Sequence, residues 1–202
     1  MKKHIIWILF LTLTLSSCAR LKPEAAPSTP AVPKTSWAER QTALNNIHNW
    51  NLSGKIAVQS SHDAGSASVN WSQRLQNYTI SLQGPLGAGA MKLSGSPGQV
   101  TLLASDGKSY HAASPEELLA KQWGFHLPVS SMKYWIRGLP VPDVSASTRF
   151  DNDGRLSSIA QQGYRIDYLA YSNHGRMELP EKLSIVSPSL RVKIVVYQWN
   201  LG

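Results

Sequence analysis

From Trp50 onward, apolar and polar residues alternate. Trp50, Leu52, Ile56 and Val58 stand against Asn51, Ser53, Lys55 and Gln59, and the same rhythm runs through Ala67, Val69 and Trp71, then Tyr78, Ile80 and Leu82. A period of two marks strands with one face buried. Met91-Lys92-Leu93 and Val100-Thr101-Leu102 continue it, and Asp106-Gly107 is a hairpin signal. The rhythm returns after residue 147, with a turn at Asn152-Asp153-Gly154. In the last strand Leu190, Val192, Ile194 and Val196 form one face, and Val195, Tyr197 and Trp199 are expected on the other.

Three segments carry helical spacing instead. Ser36-x-x-Glu39 is a capping-box signature, and it opens a helix of about a dozen residues whose one face holds Trp37, Leu44 and Ile47. Ser114-Pro115-Glu116-Glu117 combines an N-cap, a proline at the first helical position and a capping-box acid. Met132, Trp135, Ile136 and Leu139 fall at i, i+3, i+4 and i+7 before Gly138 and Pro140 end the third helix. The pattern predicts a mainly β fold with some α, of about eleven strands and three helices. Antiparallel strands with a few amphipathic helices suggest a curled, barrel-like sheet with helices covering an opening and a large apolar inner face.

The N-terminus changes the picture. Lys2 and Lys3 precede an apolar run, Ile5 to Leu15, too short to span a bilayer. Leu15-Ser16-Ser17-Cys18 then resembles the bacterial lipobox, in which the cysteine is lipidated and becomes the first residue. Cys18 is the chain's one cysteine, so no disulfide can form in an exported domain. The organisation expected is a signal peptide over 1–17, a lipidated cysteine and tether over 18–35, and one domain over 36–202. Pro23, Pro27, Pro30 and Pro33 favour extended polyproline II in the tether. At ~3.1 Å per residue it reaches roughly 50 Å. In enterobacterial lipoproteins an aspartate after the cysteine commonly retains the protein in the inner membrane. By resemblance to that rule, Ala19 permits sorting to the outer membrane of a Gram-negative bacterium, with the domain facing the periplasm.

The net charge is +8, a balance that suits nucleic acid or an anionic membrane surface. Export argues against nucleic acid. The scattered histidines show no paired metal spacing, and there is no G-x-S-x-G elbow. Gly107-Lys108-Ser109 lacks the first glycine of a phosphate loop, since Leu102 stands there. Asp151-Asn152-Asp153-Gly154 reads as a turn rather than a calcium loop. No constellation demands an enzyme, a metal or a cofactor beyond the N-acyl and S-diacylglycerol lipid on Cys18. Candidate walls of a cavity for acyl chains are Trp50, Leu52, Ile56, Val58, Val69, Trp71, Ile80, Leu82, Trp123 and Trp135. The residues alone leave a lipid binder, an envelope scaffold and an envelope-acting enzyme open.

The lipobox, "NWNLSGKIAV", "YTISLQGPLGAGAMKLSG", "GKSYHAASPEELL" and "MKYWIRGLPVP", in this order and spacing, resemble the LolB family of outer-membrane lipoproteins. The resemblance implies an unclosed antiparallel β-barrel with a helical lid and an apolar cavity. It implies acceptance of lipoproteins, by their acyl chains, from the soluble carrier LolA and their insertion among outer-membrane lipids, by a monomer. It further implies that a leucine in a protruding P-L-G loop aids delivery. Pro85, Leu86 and Gly87 match that loop. Arg137, Arg191 and Lys193 are candidates to meet an acidic carrier or lipid head groups.

Overall fold

The computed structural model describes residues 36–61, 63–85, 89–124, 126–175 and 177–202, with Trp123 described by its backbone alone. The segments expected as signal peptide and tether, with Cys18, lie outside these residues.

The eleven strands are β1 (Asn49–Ser60), β2 (Ala64–Arg74), β3 (Asn77–Gln83), β4 (Met91–Ser96), β5 (Gln99–Leu103), β6 (Ser109–Ala112), β7 (Ser147–Phe150), β8 (Leu156–Gln161), β9 (Tyr164–His174), β10 (Met177–Val186) and β11 (Leu190–Leu201). They form one antiparallel sheet in the order β6-β5-β4-β3-β2-β1-β11-β10-β9-β8-β7. The first and last strands pair at its centre. Its free edges, β6 and β7, are four residues each, too short to recruit another strand easily. The sheet is unclosed, as expected, and the chain crosses from one edge to the other through two helices.

Those helices are α2 (Pro115–Trp123) and α3 (Val129–Trp135); α1 (Trp37–Asn45) precedes β1. The capping box of α1 is complete: Ser36 Oγ accepts from the Glu39 N–H at 3.3 Å, and Glu39 Oε2 accepts from the Ser36 N–H at 2.9 Å. The helix is shorter than its apolar pattern suggests. Arg137 takes the carbonyls of Leu44 and Ile47 at 3.1 and 2.8 Å, which fixes the chain as it leaves the helix. In α2 half of the expected box forms. Ser114 Oγ accepts from the Glu117 N–H, but the Glu117 carboxylate pairs with Lys121 at 2.6 Å. Glu116 serves the next helix. α3 begins at Pro128 without a side-chain cap of its own, and the Glu116 carboxylate accepts from the Ser130 N–H at 2.7 Å and its hydroxyl at 3.1 Å. A carboxylate there satisfies an orphan donor and complements the helix dipole.

α3 is fastened to the β8–β9 half of the sheet. Gln161, 4% exposed, accepts from the Trp135 indole N–H at 3.0 Å and the Val141 N–H at 2.9 Å, and donates to the carbonyls of Val141 and Val144. Tyr168 donates to the Trp135 carbonyl at 2.8 Å, and Ser131 to Gln162 Oε1 at 2.7 Å. Gln162 and Gly163 form a two-residue turn with φ of 54° and 78°, the geometry that matches strand twist.

The last strand corrects one expectation. Opposite β1 the register slips by a residue: Ser53 faces Gln198 but Gly54 faces Val196. Tyr197 is the extra residue of a bulge. It points out, 63% exposed, and the alternation inverts after it, so Trp199 is buried rather than on the second face. Gly54 is what lets the strands approach, because a Cβ there would run into the Val195 carbonyl oxygen. Gly54→Ala therefore forces the central β1–β11 pair apart. Its expected cost is about 1–3 kcal/mol, read as a lower urea midpoint with unchanged slope; an unchanged midpoint would show that the bulge relaxes freely.

An apolar cavity as candidate functional site

Side-chain size falls along the central strands. At one end Leu52 lies opposite Trp71 and Trp199. Trp50 packs on both, with ring centroids 5.3 and 5.5 Å away. The indole N–H of Trp71 donates to Gln73 Oε1, and that of Trp199 to the Pro180 carbonyl. Further along, Ile56 faces Ala67 and Ile194, and Val58 faces Gly65 and Val192. The large rings fill one end of the curled sheet, while the small residues leave space at the other.

That space is a cavity of about 330 Å³. Strands supply Ile56, Val58, Val69, Trp71, Ile80 and Leu82, all expected from the alternation. They also supply Ala67, Met91, Leu93 and Ile194. The helical side adds Leu119, Leu127, Val129, Met132 and Ile136. Of the described lining residues, Asp63 alone is charged, and its Oδ1 accepts from the Ala64 N–H at 2.7 Å. The β4, β11 and α3 contributors were visible as apolar periodic positions in the sequence. Nothing in the sequence said which apolar positions would face a space rather than a neighbour.

The remaining candidates fall elsewhere. Trp50 and Leu52 are 1% and 3% exposed in the packed end, and Trp135 is fully buried against Gln161 and the Tyr164 ring. None of the three lines the cavity: Trp50 and Leu52 belong to the filled aromatic end of the sheet, and Trp135 turns from α3 toward Gln161 and Tyr164. The Trp123 side chain lies outside the described residues, as do Leu86 and Gly87. Pro85 is exposed, and Gly84 and Gly89 on either side of that loop line the cavity. The loop thus leaves from, and returns to, the cavity wall.

The basic candidates divide. Arg191 and Lys193 are exposed on the outer face of β11. Arg137 is not a surface cation. It is 7% exposed, and besides the carbonyls of Leu44 and Ile47 it donates through Nε to the Lys133 carbonyl at 3.0 Å. Burial lowers its pKa from the ordinary arginine value. Among the described residues, no three His, Cys, Asp or Glu side chains lie together as a metal site would need.

Comparison with known proteins agrees with this geometry. A family described as outer membrane lipoprotein LolB matches residues 48–199. An outer-membrane lipoprotein LolB of Pseudomonas syringae pv. syringae is 37% identical over 98% of this chain and 96% of its own length. One from Pseudomonas putida is 38% identical over the same shares, and one from Stutzerimonas stutzeri 35% identical over 94% and 92%. Among solved structures, a putative outer membrane lipoprotein-sorting protein domain from Vibrio parahaemolyticus superposes with a TM-score of 0.55 at 5% identity, covering 82% of this chain and 90% of that one. A LolA superfamily protein from Nitrosomonas europaea gives 0.50 at 8% identity, covering 83% and 94%. At such identities the structures show a shared fold alone. The sequence relatives show more: this chain belongs to the LolB family of outer-membrane lipoproteins.

Proposed function

We propose that this protein is a lipoprotein receptor of the outer membrane: it takes acyl chains of lipoprotein cargo from the LolA carrier into the apolar cavity and releases them to the bilayer. The observation that carries this reading is the cavity, whose described lining is apolar apart from Asp63 and Ser66 and which is walled on one side by residues of the helical segment. Its volume is at the lower end of the ~300–1,000 Å³ typical of ligand pockets. Family membership supplies the identity of cargo and carrier. No catalytic step is needed. The chains prefer this cavity to the carrier's, and the bilayer to this cavity.

Cys18 carries the N-acyl and S-diacylglycerol anchor in this reading, residues 18–35 tether the domain, and the domain acts as a monomer. Leu86 falls in sequence between Gly84 and Gly89, which both line the cavity. Burying one leucine is worth at most ~1.5–3 kcal/mol. Lipid chains contribute ~0.8 kcal/mol per buried methylene, so the anchor on Cys18 dominates membrane affinity and Leu86 acts as a local wedge during release. The direct test is transfer of a radiolabelled lipoprotein from purified carrier to this protein and on to liposomes. Absence of carrier-to-receptor transfer would refute the receptor role.

Two pairs of variants separate the parts. Val69→Glu places a charge in the cavity wall, and binding of a fluorescent fatty acid should drop at least tenfold in a protein that remains folded. Trp135→Phe removes the donor to Gln161 and should cost about 1–3 kcal/mol of stability with fatty-acid affinity unchanged. Equal effects of both on affinity would mean that the cavity is not the binding site.

Leu86→Glu should leave stability within about 0.5 kcal/mol and carrier-to-receptor transfer normal, while insertion into liposomes slows. Cys18→Ala should give a folded protein, by circular dichroism, that no longer sediments with membranes. Normal liposome insertion by Leu86→Glu would sink the wedge role, and a much lower melting temperature would show that the residue belongs to the core.

A further inference from the structure

A second recess, about 740 Å³, lies at the other end of β1–β4 from the apolar cavity. Its walls are the β2–β3 turn (Leu75, Gln76 and Asn77), the chain leaving α1, and Lys133, Tyr134 and Arg137 around the end of α3. Trp50 lines it, and Trp50 packs against Trp71 of the apolar cavity. The two spaces share an aromatic wall and differ in chemistry.

Its ionisable lining groups other than Tyr134 are His48, Lys133 and Arg137, and no carboxylate is among them. The Arg137 guanidinium is held by three carbonyls through Nε and Nη1. Nη2 donates to no group among the described residues. Lys133 Nζ and Arg137 Cζ lie 5.0 and 5.7 Å from the centre of the same Tyr134 ring. Two cations thus share one ring with no carboxylate among the described lining residues, and one of them is more than nine-tenths buried. Neutral carbonyls orient a buried guanidinium but do not balance its charge. A fixed guanidinium edge and an ammonium over the same ring form a donor set that a phosphate group fits. Asn45, Gln76 and Asn77 place amide groups around it.

We propose that this recess is an oxyanion site that binds a phosphate group, either of a lipid headgroup or as free phosphate. Arg137 Nη2 and Lys133 Nζ are its principal donors. Leu75 at its rim is 68% exposed, with a φ of 53° that a non-glycine residue rarely adopts. An apolar tip beside a phosphate site matches a headgroup with its glycerol and acyl carbons close by. Arg137 has a structural role too, since it holds the end of α1, so the test turns on Lys133.

The experiment is a titration of the full chain, ¹⁵N-labelled in a neutral phosphate-free detergent, followed by amide and arginine Nε–H resonances. Inorganic phosphate and glycerophosphoglycerol are added in separate arms, with chloride at matched ionic strength as control. The expected result is saturable shifts at Arg137, Tyr134 and Gln76 in at least one phosphate arm. Lys133→Gln should weaken binding about tenfold, the loss of one charge-assisted contact, without lowering the melting temperature. Tighter binding of glycerophosphoglycerol assigns the site to a lipid headgroup, and tighter inorganic phosphate assigns it to the free ion. Shifts no larger than chloride produces, or affinity indifferent to Lys133→Gln, would overturn the proposal.

Discussion

An eleven-stranded sheet with one apolar face must cover that face, and the curvature brings its central strands round a space whose filling depends on side-chain size. Everything else follows from how the taper is arranged. Trp50, Trp71 and Trp199 meet at one end, where β1 sits between β2 and β11. Six residues further along β1 the facing partners of Ile56 are Ala67 and Ile194. The fold is closed by rings at one end and left spacious at the other. The bulge at Tyr197 is part of this arrangement, because without the slip Trp199 would face solvent and the aromatic end would lack a wall.

The helices hold that geometry unequally. α3 is tied to the sheet by a glutamine with both side-chain polar atoms used twice, a tyrosine hydroxyl and a serine hydroxyl. Buried polar groups that are fully satisfied fix a unique position rather than add much stability. α2 has a different kind of attachment. It packs Leu118 and Leu119 inward and reaches α3 through the exposed Glu116–Ser130 bonds. The cavity wall therefore combines a firmly placed element with one held mainly by apolar contact, which resists displacement less specifically.

Much of this was legible in the residues. Period-two alternation located the strands, and Ser36 and Ser114 located two helix starts, because these signals are local. The cavity wall was half legible: Ile56, Val58, Val69, Trp71, Ile80 and Leu82 share one face, and alternation reports faces. It does not report depth. Trp50 and Leu52 satisfy the same rule yet fill the packed end, which the cross-strand register reveals, while Trp135, on α3, turns to Gln161 and Tyr164. Arg137 was misplaced for a related reason. Its neighbours in sequence suggest an exposed helix end, whereas its partners Leu44 and Ile47 lie some ninety residues away. The Trp199 inversion was hidden because a bulge changes parity without changing composition. Its one sequence trace is Gly54, a residue that strands otherwise disfavour.

The cavity itself sets a constraint on energy. Scaled at ~24 cal/mol per Å³ from core-truncation series, a dry, empty void of 330 Å³ would cost about 8 kcal/mol. That is comparable with the whole stability of a domain, ~5–15 kcal/mol. A fold cannot keep such a space sealed and vacant. It must be open to solvent, or filled by apolar matter that recovers the lost contacts. On the receptor reading proposed above, an acyl chain would do the second, and it would gain on entering because the described walls are mostly apolar. The same chain in a bilayer is surrounded on all sides by hydrocarbon, whereas here one wall consists of the glycines and short side chains near Gly65, Gly84 and Gly89. On that reading the difference would favour release toward the membrane, with burial alone giving the path its sense.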